Sequence, residues 1–155
     1  MRTTDDLMKK LNNTVTDEHL LNDYLKGIDK YDGNSFKEYF GILISRHGRT
    51  RAEVVKASHI ERTFAEHMIG GSKKITRNNL LALCIACGCT FPETEKCLKL
   101  TGNSALYSKN KRDAIIIYAI NRGLTIQEIN DILYEKNLEM LVIYDKERES
   151  VYKDK

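Results

Sequence analysis

The sequence predicts an all-α protein, and three observations support that class. Apolar residues recur at intervals of three and four positions, which is the spacing of one helix face. Alternating patterns typical of strands are scarce. The 155 residues include one proline and nine glycines, so little interrupts regular structure. A chain of this length forms one domain, or one domain with appendages.

Start and stop signals place the first helices. Two short helices are expected within residues 1–30, the second ended by Gly27. The turn-rich stretch KYDGNS follows as a linker. Ser35 then caps a helix over FKEYFGILISRHG, whose apolar residues share one face: Phe36, Tyr39, Phe40, Leu43 and Ile44.

Four further helices follow in the middle of the chain. Thr50 and Glu53 form a capping-box pattern before RAEVVKAS. The helix ERTFAEHMI comes after a short break and stops at GGSKK. Thr76 caps RNNLLALCIACG, and Thr90 begins a second capping box before TEKCLKL, with a proline in the first turn.

The last two helices, KNKRDAIIIYAINRG and TIQEINDILYEKN, form a hairpin over residues 106–140. A charged tail over 141–155 ends the chain. The first helix of the hairpin is apolar nearly all round, which is typical of a buried helix or an interface. The hairpin could stack on the preceding helices, form a dimer surface, or do both. The N-terminal helices are a second possible dimer contact.

All four cysteines lie between Cys84 and Cys97, and the first two have the CxxC spacing of many metal and redox sites. A shift of 35 residues aligns this segment with YAINRGLTIQEINDIL, where the same hairpin is built without cysteine. Cysteine at apolar positions acts as a small hydrophobe. We therefore expect core packing, with only Cys87 facing solvent. No histidine is near in sequence, and we expect no metal, no cofactor and no stoichiometric zinc.

The segment TRAEVVKASHIERTFAEHMIGGSKKITRNNLLALCIACG consists of a short helix, a tight turn, a second helix, a loop and an apolar helix. It resembles the helix-turn-helix domain of the lambda-repressor/Cro-like family, the XRE type of bacterial and phage regulators. The resemblance covers residues 35–102, the five-helix unit. It implies a transcriptional regulator that binds double-stranded DNA, with the helix over 61–69 in the major groove.

The resemblance also assigns residues on that helix. Ile60 takes the buried turn position, and Phe64 and Met68 face the core. Where the two helices cross, the family usually has a small residue in the first helix and Ile or Val in the second, whereas this chain has Val55 and Ala65, so the total volume is roughly conserved. His59 stands where the family usually has a turn glycine, a position that commonly needs a positive φ. The residues carried over as base-facing are Glu61, Arg62, Thr63, Glu66 and His67.

The charge distribution supports an anionic partner. Residues 46–77 hold eight Lys and Arg against three Asp and Glu, a net +5, whereas the whole chain is +3. Basic residues neutralise phosphates and supply most nonspecific DNA affinity. The expected phosphate contacts are Arg49, Arg51, Lys73, Lys74 and Arg77.

The carboxylates of Glu61 and Glu66 oppose DNA binding, since they repel phosphates. The alternative is a helix-turn-helix fold used as a protein-binding adaptor or regulator. An enzyme is not expected, because the four histidines are scattered and no nucleotide loop or nucleophile motif is present. Without a membrane-length apolar run or a secretory signal pattern, the sequence predicts a cytoplasmic protein with no membrane partner.

Overall fold

A computed structural model describes residues 35–144, and the structural statements below concern that range. It contains seven α-helices and no strand within those residues, which confirms the all-α class there. The predicted helices of residues 1–30 and the residues from 145 onward lie outside this range. The helices are α1 (Ser35–Arg46), α2 (Arg51–Ser58), α3 (Arg62–Ile69), α4 (Arg77–Cys87), α5 (Phe91–Leu100), α6 (Lys111–Arg122) and α7 (Ile126–Glu135).

Three of the helix junctions use the same local device. The preceding helix ends at a glycine with positive φ, a conformation that glycine adopts without a steric cost. Two residues later a threonine accepts the backbone N–H of a glutamate, whose side chain returns to the threonine N–H. The capping boxes that the sequence predicts are therefore confirmed. The three sets are Gly48, Thr50 and Glu53; Gly88, Thr90 and Glu93; and Gly123, Thr125 and Glu128.

The core is organised around α4, which packs against α2, α5 and α7. Thr76 occupies the predicted cap position of α4, although its side chain makes no capping hydrogen bond. Seven of the eleven residues of α4 are buried and none is exposed, so its neighbours surround it. The predicted apolar face of α1 is confirmed as part of the same core, with Phe40 and Leu43 fully buried. The buried positions of α4 are Leu80, Leu81, Ala82, Leu83, Cys84, Ala86 and Cys87.

The 35-residue repeat is visible in three dimensions. The hairpin of α4 and α5 is followed by the hairpin of α6 and α7, and the two pack on each other through α4 with α7 and α5 with α6. Arg77 donates to the carbonyl oxygens of residues 104–105, both at 3.0 Å. Arg112 donates to those of residues 139–140, at 2.8 and 3.4 Å. Each repeat thus uses its first arginine to hold the chain that leaves its second helix.

A second pair of hydrogen bonds obeys the same offset. Glu95 accepts the backbone N–H of Leu106 at 3.0 Å, and Asn130 accepts that of Leu141 at 2.8 Å. Asn130 also donates to the carbonyl oxygen of Val142 at 2.7 Å. Leu141 and Val142 are buried. The packed body therefore extends beyond residue 140, where the sequence places the start of the tail.

The apolar helix α6 has one buried face. Ile116 is fully buried, whereas Tyr118 is half exposed and lies under the guanidinium of Arg122, 5.3 Å from the ring centroid. Stacking on the preceding hairpin accounts for the buried side. Within residues 35–144, no helix combines the length and apolar content needed to span a membrane.

Candidate functional site

The turn between α2 and α3 carries the first of two candidate sites. His59 ends α2 with φ 60°, the left-handed conformation that the sequence analysis expects there. Ile60 is buried, as predicted. Ser58 stabilises the turn by donating to the carbonyl oxygen of Val55 at 2.7 Å and accepting the N–H of Ile60 at 3.2 Å. The turn is therefore closed by local hydrogen bonds although it lacks glycine.

Glu61 is the N-cap of α3 rather than its first residue. Its carboxylate accepts the backbone N–H groups of Thr63 at 3.0 Å and Phe64 at 2.8 Å. These N–H groups have no partner within the helix, and the positive end of the helix dipole favours a carboxylate there. The charge of Glu61 is thus used in holding α3.

Glu66 lies against the start of α2. Arg51 donates through Nε to the Glu66 carboxylate at 2.6 Å and through Nη2 to the Glu66 carbonyl oxygen at 2.9 Å. The predicted base-facing glutamate and the predicted phosphate-binding arginine are therefore paired with each other. Their opposite charges largely cancel in the field seen by an approaching phosphate.

Three of the predicted base-facing residues of α3, Arg62, Thr63 and His67, are exposed, and Lys73 and Lys74 are exposed in the loop that follows. These five predicted site residues all present their side chains to solvent.

The prediction that Phe64 faces the core is wrong: its side chain is 37% exposed, with Lys73 Nζ 5.8 Å from the ring centroid. The buried positions of α3 are Ala65, Met68 and Ile69, so residue 64 lies at the edge of that face. The burial of Met68 is confirmed. The exposed ring and the lysine above it add an aromatic group to the surface.

Two predicted phosphate residues are placed differently from the loop lysines. Arg77 donates to both carboxylate oxygens of Asp113 at 3.0 Å as well as to carbonyl oxygens 104 and 105. It is a structural residue that joins the two hairpins, and we leave it out of the interface. Arg49 is exposed, and its guanidinium lies over Gly88: a Cβ built there would be 3.1 Å from Nη2.

The second candidate site contains the cysteines. All four are buried and none forms a disulfide. The expectation that Cys87 faces solvent is wrong, because this last residue of α4 is fully buried. Cys89 forms thiol hydrogen bonds with Cys84 and Cys87, and Cys84 forms another with Cys97. The spacing of the sequence alone did not indicate that three sulfurs would meet around Cys89.

No histidine is near the cysteines in sequence, but the fold brings His47 to Cys89. One ligand atom from each of His47, Cys89 and Glu93 lies within 4.8 Å of the others. His47 Nε2 is 2.8 Å from Glu93 Oε1, and Arg46 Nη1 donates to Glu93 Oε2 at 2.7 Å. His47 follows α1, some forty residues before the cysteines, so only the tertiary fold brings these groups together.

The surroundings lower the pKa of Cys89 and Glu93 and raise the pKa of Cys84 and Cys87. Hydrogen bonds from the Cys84 and Cys87 thiols lower the pKa of Cys89 to about 5, whereas they raise the pKa of both donors. Burial opposes ionisation of Glu93, but hydrogen bonds from the Thr90 N–H, His47 and Arg46 outweigh it and lower its pKa to about 2. The surroundings therefore favour the thiolate form of Cys89 and the carboxylate form of Glu93.

The comparisons with known proteins find no match: none among protein families, none among curated proteins and none among solved structures. The functional argument therefore depends on the residues and geometry of this chain.

Proposed function

We propose that the protein is a DNA-binding transcriptional regulator of the lambda-repressor/Cro-like type. The observation that supports it best is the position of the two glutamates that oppose DNA binding. Glu61 caps α3, and Glu66 pairs with Arg51. The other predicted site residues that α3 and its loop expose to solvent are basic or polar: Arg62, Thr63, His67, Lys73 and Lys74.

The roles follow from the chemistry of these side chains. Arg62 offers a donor fork suited to guanine, and Thr63 bonds to several base edges. Lys73 and Lys74 are compact charges that neutralise phosphates and orient the protein on the duplex. The protein in this proposal is a five-helix unit over α1 to α5 that reads DNA with α3, and the α6–α7 hairpin enlarges its core.

The test is binding to fluorescent duplex DNA, followed by anisotropy across a salt series. Wild type is compared with Lys73→Glu/Lys74→Glu and with Lys109→Glu/Lys111→Glu. The control pair is also exposed and changes the net charge equally, but it lies at the start of α6. Loss of two phosphate contacts is expected to reduce the slope of log K against log salt by about two.

A weaker, flatter response in the loop variant alone supports the interface on α3. Equal weakening in both variants would mean that only net charge matters. No binding of wild type to any duplex at low salt would refute the DNA proposal and favour the adaptor, whose contact would then be sought at Phe64 on the same surface.

A further inference from the structure

We propose that the protein has a binding site for a thiophilic divalent metal ion, Zn²⁺ in particular, formed by His47, Cys89 and Glu93. The site lies where the end of α1 meets the junction of α4 and α5. It is independent of the proposed DNA interface.

The geometry fits three positions of a tetrahedral ion with little rearrangement. Zinc bonds of about 2.0–2.3 Å place neighbouring ligand atoms roughly 3.3–3.8 Å apart in a tetrahedron. One atom each of His47, Cys89 and Glu93 already lies within 4.8 Å of the others. The His47–Glu93 contact of 2.8 Å needs to open by about half an ångström to admit the ion. Three protein ligands leave the fourth position of the tetrahedron to water.

The internal repeat provides a comparison within the chain. In the second hairpin, Leu124 stands at the position of Cys89 and Arg122 at that of Cys87. The same helices, left-handed glycine and capping box form there without thiols. Packing therefore does not require sulfur at these positions, and sulfur is present only in the hairpin that lies beside His47.

The donor set selects the class of metal. Thiolate and imidazole ligands suit zinc, whereas magnesium and calcium prefer oxygen ligands alone. On binding, Cys89 coordinates as the thiolate. His47 binds as the neutral imidazole: the coordinating ring nitrogen gives up its hydrogen bond to Glu93, and the ring proton stays on the other nitrogen. Arg46 stays on the other oxygen of Glu93 and orients the carboxylate. Three protein ligands leave one position to water, which is the arrangement of an open zinc site rather than a closed one.

The experiment adds Co²⁺ or Zn²⁺ to purified protein that has been stripped with a chelator under reducing conditions. Cobalt bound by thiolates gives a sulfur-to-metal charge-transfer band, and competition with a chromophoric chelator measures zinc affinity. The variants are Cys89→Leu, which copies Leu124, and His47→Gln. The control is Cys97→Val, which removes a buried thiol outside the proposed ligand set. Circular dichroism checks folding, and Cys89→Ser replaces Cys89→Leu if that variant is unfolded.

We expect one metal ion per wild-type chain with the thiolate band, and the same result for Cys97→Val. The band should be lost in Cys89→Leu, and zinc affinity should fall by at least about 100-fold in His47→Gln. The proposal is overturned if folded wild type binds no stoichiometric metal. It is equally overturned if binding persists in folded Cys89→Leu, or if His47→Gln binds zinc as tightly as wild type.

Discussion

The ion pair between Arg77 and Asp113 joins the two hairpins, and replacing Asp113 by Asn tests what it contributes. Two N–H groups of Arg77 and the backbone N–H of Tyr107 donate to this carboxylate, each at 3.0 Å. Asparagine has the same shape but one acceptor oxygen and no charge. At least one of the three donors therefore loses its partner in the variant.

The magnitude follows from the burial of the pair. A hydrogen bond to a charged group contributes about 1.5–3 kcal/mol, and breaking a fully buried pair costs about 3–5 kcal/mol. The side chain of Asp113 is 9% exposed and that of Arg77 is 23% exposed, so water replaces part of the loss at the arginine. We expect Asp113→Asn to lower the free energy of unfolding by about 2 kcal/mol, and Tm by roughly 7 °C.

The effect also depends on pH. Burial opposes ionisation of Asp113, but the hydrogen bonds from Arg77 and Tyr107 outweigh it and hold the pKa of Asp113 below its usual value. A carboxyl group whose pKa is lower in the folded state contributes its full stabilisation above the unfolded-state pKa of about 3.9. This contribution disappears as the pH falls through the folded-state pKa. The difference between wild type and variant should therefore be constant from pH 7 to about 5 and shrink below about pH 4.

The assay is urea unfolding followed by circular dichroism at several pH values. Asp131→Asn serves as the control, because it removes an exposed carboxylate from α7 with the same change in charge. It should alter stability by less than about 0.5 kcal/mol. Equal losses in both variants, or a difference that persists at the lowest pH where both remain folded, would refute the reasoning.

Three further outcomes are expected. Glu66→Gln releases Arg51 from its partner, so duplex affinity in anisotropy titrations should rise roughly two- to fivefold at low salt, and an unchanged affinity would count against the proposed interface. Asn130→Ala removes both buried hydrogen bonds to residues 141–142 and should cost about 2–3 kcal/mol in urea unfolding; a loss under about 0.5 kcal/mol would show that the segment is held by other contacts. A Cβ added at Gly123 would have no atom within 4 Å, so Gly123→Ala should lower the free energy of unfolding only by the cost of the positive φ, about 1–2 kcal/mol by thermal unfolding. A much larger loss of stability would contradict this account.

Local features were predictable from the sequence because their cause lies within a few residues. The capping boxes at Thr50, Thr90 and Thr125 depend on a threonine and a glutamate three positions apart, and all three form. The left-handed conformation of His59 follows from the tight turn between two helices. Such signals do not depend on how the helices pack.

The errors concern side chains whose neighbours are distant in sequence. Phe64 has apolar character and helical spacing, yet the edge position of residue 64 becomes visible only when α3 is packed. Arg77 lies in a basic segment, but its partner is thirty-six residues away in the next hairpin. The alignment of Arg77 with Arg112 was present in the repeat and could have indicated a shared structural role. Nothing in the sequence spacing indicated that His47 meets Cys89.

The arginine bonds recur at a 35-residue offset, so residues 77–141 contain two copies of one structural unit. Both copies contribute to one hydrophobic core, and each is stabilised by its own helices and by the neighbours that it packs against. Within residues 35–144, the second hairpin packs against the first, whereas the first also packs against α2. Opening should therefore begin at α6 and α7 and proceed inward, with α4 the last helix to exchange its amide protons.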